Sequence, residues 1–543
     1  MRTRFARLYP RSGSAPSRSV TTLTREPTKQ LYVMDSTGCQ HATGAKMVTV
    51  QPTMNDTEVF SPETRLYING ELRGAVRGRT ANNINPATEE ILGVAADAGP
   101  EDMEAAIAAA RHAFDNTGWA NNHGFREHCL LQLHNALLEE LEQLRSELIA
   151  ETGCPLSSTF GPQLDWPMAD AIRWPAHYIN VFPWERELPD AALLGSPYRR
   201  RVLKEPLGVV GAISAWNFPF EIALNKIGQA LATGNTVVLK PAMETPWNAL
   251  RLGRVIAEKT DIPSGVVNIV PTSSNELAQT LVTDPRVDMV SFTGSTAVGQ
   301  HIQSLSAATM KRTLLELGGK SAYILLDDAD LETALPGCIG AFIHAGQGCG
   351  LTPRVLVPAS LYDAAVEAIT QMCLAVPVGD PTDPATLCGP VISERQRERV
   401  LNYIKIGSAQ GGRLTVGGGV PKDLNRGYYV EPTVFADVDP GHRLFNEEIF
   451  GPVLTITAYE GGDDGAVTLA NASSYGLAGA VLGSADRALA VARRVRTGTM
   501  NVNGAVFYGA DAPFGGYKMS GIGRQNGHEG FEQYLETKTI AYP

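Results

Sequence analysis

Cys349 closes the run Gly346-Gln347-Gly348-Cys349. Glycines beside a cysteine let the backbone approach a ligand closely and leave the thiol accessible, and a thiolate is a potent nucleophile toward carbonyls once its pKa is lowered. Glu316 stands between Leu315 and Leu317, ahead of Gly318-Gly319, at the end of a predicted strand. Partial burial there would raise its pKa and suit it to general-base work. Both residues also admit plainer readings, a buried inert thiol and an exposed carboxylate at a strand end. The inert reading is kept for Cys338, Cys373 and Cys388, which lie within apolar stretches or beside a turn. Thr293-Gly-Ser-Thr-Ala-Val-Gly299 reads as strand, tight turn and helix start, where free N–H groups face a pyrophosphate. It departs from the dinucleotide fingerprint GxGxxG, and a plain strand–helix turn is the competing reading. Gly319-Lys320-Ser321 is not a P-loop, because Leu314 occupies the place of its first glycine.

The elements that must position these residues are legible in outline. RLYINGELRG from Arg65 reads as two short strands joined at Asn69-Gly70. Glu101–Phe114 and Arg126–Glu151 carry apolar residues at helical spacing. From 207, the strands Leu207–Ser214, Thr236–Pro241, Val266–Val270 and Val287–Phe292 alternate with the helices Glu221–Ala232, Pro246–Lys259, Asn275–Val282 and Ala297–Ser306. Such alternation predicts a parallel sheet covered by helices on both faces, binding its ligand beyond the carboxyl ends of the strands. A second α/β region runs from about 320 to 518, with the strands Ser321–Leu326, Arg354–Val357 and Val453–Ala458 and the helices Leu331–Ala345, Leu361–Leu374 and Asp486–Val495. Glu187–Lys204 and the tail after Glu529 fit neither sheet.

Composition narrows the class. The 543 residues, 43% hydrophobic and 19% charged, suit a large globular α/β protein. A net charge of −11 argues against a general role on nucleic acid, and no run of 18 apolar residues offers a membrane span. Seven cysteines are scattered without zinc spacing, as in a protein of a reducing compartment. The first 25 residues hold six arginines and no acid. They read as a mitochondrial-type transit peptide, as a disordered tail, or as upstream sequence ahead of a true start at Met34, Met47 or Met54.

Six motifs follow one another in order: Ala215-Trp-Asn-Phe-Pro219, Phe292-Thr-Gly-Ser295, Leu315–Lys320, Gly346–Cys349 with Arg354 five residues on, Glu447-Glu-Ile-Phe-Gly-Pro452 and Pro513-Phe-Gly-Gly-Tyr-Lys518. Together they resemble the aldehyde dehydrogenase superfamily, hydrolytic and NAD(P)-dependent, over roughly residues 64–543. The resemblance implies that Cys349 attacks an aldehyde, that Asn217 and the Cys349 N–H hold the oxyanion, and that Glu316 activates water against the thioester. It implies NAD as cofactor, with NADP also accepted, contacted by Ile213, Trp216, Lys240, Gly294, Ser295, Glu448 and Phe450. Phe218, Ile222, Tyr508 and Phe514 would line the aldehyde tunnel. The coenzyme-A-acylating relatives usually lack the glutamate at 316, so its presence favours hydrolysis over that alternative. Intact Cys349, Glu316 and Asn217 likewise disfavour a catalytically silent relative.

Three departures from the family pattern stand out. Met243 replaces a glutamate common in NAD-preferring relatives, with Glu244 next to it; Gln525 replaces a second pocket glutamate; His344 replaces a common asparagine. At five residues' separation on one predicted helix, His344 and Cys349 would point apart.

The implied fold is α/β: a doubly wound parallel-sheet cofactor domain (61–186 and 207–318), an α/β catalytic domain (319–518) and a small β oligomerisation unit (187–206 and 529–543). A tail or targeting segment would occupy 1–60. The expected partners are a small-molecule aldehyde and further copies of the chain, as a homodimer or homotetramer, with neither nucleic acid nor membrane. The expected compartment is the cytoplasm, or the mitochondrial matrix if the arginine-rich segment is a transit peptide. Because no periodic apolar face develops before residue 54, a chain beginning at Met54 should keep its activity and melt within about 4 °C of full length. A larger loss on calorimetry would show that residues 1–53 support the fold.

Overall fold

The computed structural model describes residues 61–193 and 196–543; the arginine-rich segment and the expected tail lie outside the described residues. Val209–Ile213, Thr236–Lys240 and Val267–Ile269 are short, almost wholly apolar runs, and each pairs parallel with the one before. Met289–Thr293 then returns to the other side of Val209–Ile213, and Arg312–Glu316 pairs parallel beyond it. The strand order therefore reverses between Val209–Ile213 and Met289–Thr293, and a crevice opens beyond the carboxyl ends of that pair.

Alternate residues of these strands serve opposite faces. Val210, Ala212, Val237 and Leu239 join one buried cluster, while Val209, Ile213, Val238 and Val290 join the other. Burial on both faces is why the strands read as unbroken apolar runs. The Leu66–Ile68 and Glu71–Arg73 hairpin, turning at Asn69 (φ 54°) and Gly70 (φ 85°), caps one edge antiparallel. A strand not foreseen, Gly521–Ile522, caps the other against Arg312–Glu316.

The second sheet has seven strands. Its parallel centre is Thr433–Ala436, Val453–Tyr459, Arg354–Pro358, Ala322–Leu325 and Gly479–Leu482. A third, antiparallel sheet pairs Ser196–Pro206 along its length with Leu535–Tyr542 and over part of it with Glu185–Glu187. The α/β class, with two parallel sheets and a small antiparallel one, is as expected. No helix among the described residues is long and apolar enough to cross a membrane.

Two expected helices are corrected. Arg126–Glu151 is two helices, His123–Glu139 and Leu141–Thr152, broken at Glu140. The break turns the Glu140 carboxylate toward Arg251 (2.7 Å) and Arg254 (2.5 Å) of Trp247–Lys259. Such paired charges have no apolar periodicity to announce them. Leu331–Ala345 is α-helical only over Leu331–Ala334 and continues as a 3₁₀ turn. The chain leaves helical geometry at Ile343 (ψ 137°), and His344, Ala345 and Gly346 take φ of 50°, 51° and 70°. A Cβ at Gly346 would stand 2.2 Å from the Gly451 carbonyl oxygen, so this turn is packed too tightly for any other residue.

Candidate active site

The chain leaves Val209–Ile213 through Ser214–Phe218 and re-enters a helix at Pro219, a residue preorganised for that first position. Asn217 is thereby held in the connection and buried. Its Nδ2 donates to the Gln347 carbonyl (2.9 Å), and its own carbonyl accepts from Gln163 Nε2 (2.9 Å). Gln347 is anchored in turn, donating to the His344 carbonyl (3.1 Å) and accepting from Ile392 N–H (2.9 Å). The loop after Val209–Ile213 and the cysteine loop are thus tied together two residues before Cys349.

Glu316 ends its strand with main-chain partners satisfied: its carbonyl accepts from Gly294 N–H (3.0 Å). Its carboxyl is buried, and neither oxygen has a hydrogen-bond partner in the protein. Burial pushes its pKa up to about 8, against an opposing pull from Lys226 and Arg524. Gly515 leaves room at this carboxyl, since a Cβ there would lie 2.7 Å from Oε1. Lys226 is fully buried on Pro219–Ala232 and donates to Ser291 Oγ (3.1 Å), which meets the Tyr534 hydroxyl (3.1 Å). Burial lowers its pKa to about 7.

Among the described cysteines only Cys349 is not fully buried. Loss of solvation pushes its thiol well above the ordinary range, and the carboxylates of Glu221, Glu316 and Glu448 add to the effect. The protein on its own therefore keeps a neutral thiol.

Two cavities meet at these groups. One of about 510 Å³ opens at the strand-order reversal and is lined by Trp216, Gly294, Ser295, Glu448 and Phe450, with Arg395 and Arg399. The other, about 230 Å³, is walled by Phe218, Ile222, Tyr508 and Phe514. Asn217, Thr293, Glu316 and Cys349 belong to both.

In the larger cavity Ser295 caps the helix Thr296–Ser306, so the first-turn N–H groups and the positive end of the helix dipole stand beside it. Glu448 Oε1 accepts from Gly319 N–H (2.8 Å), and burial raises its pKa to about 6. Phe450, at φ 61°, meets Trp216 edge-on at 5.3 Å. Ile213 and Lys240 are not in the wall: Ile213 is a core residue, and Lys240 ends the neighbouring strand, its carbonyl accepting from Ser214 N–H (3.2 Å). Glu244 lies 3.8 Å from Arg395.

The expected placement of His344 on a helix with Cys349 is corrected, since His344 lies in the left-handed turn. Both its ring nitrogens are buried without a hydrogen-bond partner, and its ring meets Phe218 edge-on at 5.8 Å. Burial lowers its pKa to about 4. Lys226, Gln347, Arg395, Arg399 and Glu221 were not foreseen. A lysine amid Ile227, Leu224 and Ala223 on the predicted helix Glu221–Ala232 was the one signal available.

A buried carboxyl and a cysteine sit where a crevice at a strand-order reversal meets a largely apolar cavity, an arrangement with room for a cofactor, a substrate and a reacting sulfur. Residues 75–540 match the Aldehyde dehydrogenase family. The chain belongs to that family, whose members are NAD(P)-dependent oxidoreductases acting on an aldehyde group. It is 40% identical to 3-succinoylsemialdehyde-pyridine dehydrogenase of a Pseudomonas species, over 87% of this chain and 97% of that one. It is 39% identical to geranial dehydrogenase of Castellaniella defragrans, over 88% and 98%. Among solved structures, an aldehyde dehydrogenase of Mycobacterium tuberculosis complexed with NAD+ superposes with a TM-score of 0.84 at 41% identity, over 88% of this chain and 98% of that one. An aldehyde dehydrogenase C mutant of Pseudomonas syringae, complexed with NAD+ and octanal, gives 0.82 at 35% identity, over 88% and 96%.

Folded Glu316 titrates near 8 instead of 4.5. Between those values the folded state binds the extra proton, so this residue erodes stability as pH rises from 4.5 and costs most above 8. Glu316→Gln should therefore melt higher than the parent at about pH 9, with the gap closing toward about pH 4.5. A gap independent of pH would refute the burial argument.

Proposed function

We propose that the chain oxidises an aldehyde to its carboxylic acid with NAD(P)+, through a thiohemiacetal and then a thioester on Cys349. The observation that carries this reading is the sharing of Asn217, Glu316 and Cys349 by both cavities. A carbonyl entering through the apolar cavity meets the sulfur at the wall of the other. The neutral thiol first gives its proton to water; the thiolate Sγ then bonds to the carbonyl carbon, and the π pair moves to oxygen. An amide nitrogen carries two N–H donors, and Asn217 spends one on Gln347. The other, with the Cys349 N–H, serves the oxyanion, each such donor contributing about 3–4 kcal/mol.

The larger cavity suits a dinucleotide. The capped helix start at Gly294-Ser295 would offer N–H groups to a pyrophosphate; Glu448 in the wall would hold one ribose, and Lys240, ending the adjoining strand outside that wall, would reach toward the other. Trp216 and Phe450 would lie at the nicotinamide end, with Ile213 supporting the loop from within the core. When bound, NAD(P)+ supplies the acceptor for the hydride lost from the tetrahedral carbon. Glu316 then takes a proton from water, the hydroxide adds to the thioester carbon, and the C–S bond breaks to release acid and thiolate. With no protein hydrogen bond to give up, the Glu316 carboxyl is free to take that proton. Lys226 behind it balances the charge.

Cys349→Ala should abolish NADH formation. Glu316→Gln should slow release of acid by about 10²–10⁴-fold and accumulate an acyl adduct on Cys349 visible by intact mass. The parent's deacylation should rise with pH through about 8, and the variant should lose that rise. Unchanged turnover in Glu316→Gln would exclude it as the base, and acyl-CoA release on adding CoA would favour the acylating alternative.

We assign the cofactor as NAD, with NADP also accepted. Met243 offers no carboxylate to repel a 2′-phosphate, and the exposed Arg395 beside Glu244 adds positive charge to the cavity wall. Met243→Glu should lower kcat/KM with NADP by about one to two decades while sparing NAD. No detectable NADP activity in the unmodified enzyme would overturn the assignment and point to Glu244.

The antiparallel sheet supports assembly as a homodimer or homotetramer. Leu535–Tyr542 is its edge strand, exposed along most of its length, and presents unpaired backbone groups.

A further inference from the structure

Besides Glu316, the aldehyde cavity has one charged side chain, Glu221, and no lysine or arginine in its wall. Glu221 lies in the first turn of Pro219–Ala232, where the helix dipole favours a carboxylate. Its Oε1 accepts from the Tyr508 hydroxyl (3.2 Å) and from Asn225 Nδ2 (3.4 Å). Oε2 receives no hydrogen bond from the described residues, although the carboxylate lies in a wall otherwise rich in aromatic rings. Tyr508 also packs against Trp166, with ring centroids 5.0 Å apart at 46°. A half-satisfied carboxylate with two electron-rich rings beside it is what a cation seeks, and it repels an anion.

We propose that Glu221, Tyr508 and Trp166 form a subsite for a cationic group, so that the preferred aldehydes carry an ammonium remote from the carbonyl. This rests on the smaller cavity being the aldehyde site. Burial pushes Glu221 up to about 7, so an arriving cation draws it into the charged form. Nothing in the apolar side chains of the wall would distinguish the ammonium from a tert-butyl group of the same shape.

The test compares 4-(trimethylammonio)butanal with its neutral isostere 5,5-dimethylhexanal, and hexanal as a simple aldehyde. In the parent, kcat/KM for the cation should exceed that for the isostere by about tenfold or more. Glu221→Gln, which preserves shape and the bond from Tyr508, should bring the ratio close to one, and Glu221→Asp should keep part of it. A parent ratio at or below one, or a ratio that survives Glu221→Gln, would overturn the proposal while hexanal turnover upholds aldehyde oxidation. If none of the three aldehydes is oxidised, the oxidation reading itself fails. The subsite is then judged by calorimetry alone: choline should bind the parent about tenfold tighter than 3,3-dimethylbutan-1-ol, and equal binding overturns it.

Discussion

The hydrogen bond from Asn217 Nδ2 to the Gln347 carbonyl couples two sheets that otherwise fold around separate cores. Asn217 belongs to the loop at the strand-order reversal, and Gln347 to the turn carrying the cysteine. Both are buried, so the bond is shielded from water, and Gln347 is held from its other end by Ile392 N–H. A shift of either loop would separate the sulfur from the amide assigned to the oxyanion. Geometry in such sites is only as good as the groups behind the reacting atoms.

The site also holds charge where charge is expensive. The Glu316 carboxyl receives no protein hydrogen bond, and the Lys226 ammonium gives only one, to a serine hydroxyl. Each is shifted toward its neutral form, so each can exchange a proton near neutral pH. A core of apolar residues would be more stable, and the loss of stability is offset by the large apolar faces of both parallel sheets. Cys349 shows the same logic from the other side: its surroundings keep the thiol in its neutral form.

Some of the backbone strain lies beside the same atoms. His344 and Ala345 occupy the left-handed region next to Gly346, and Phe450 does so in the wall of the larger cavity. For residues with a Cβ this costs energy, and it persists because dense packing leaves no alternative. The result is a cysteine on a rigid turn instead of a helix, with its thiol at the meeting point of two cavities.

Most strand and helix positions and the crevice at the carboxyl ends of the strands were legible in the chain, as were the cysteine and the carboxylate that the structure brings into the walls of both cavities. They follow from local rules: apolar period, glycine and proline punctuation, and six motifs in family order. Other features needed the third dimension. The break at Glu140 depends on arginines more than 100 residues away in sequence. The His344 turn depends on the Gly451 carbonyl packing against Gly346. Gly521–Ile522 becomes a strand only because the edge of Arg312–Glu316 is open to it. Glu221 read as the first residue of a helix, and only the arrival of Tyr508 against it, with Trp166 packed on Tyr508, made it the charged wall of a cavity. Patterns along the chain report which face of an element avoids water. They do not report which distant side chain will arrive to share that face, and the charge, strain and specificity of this site are set by those arrivals.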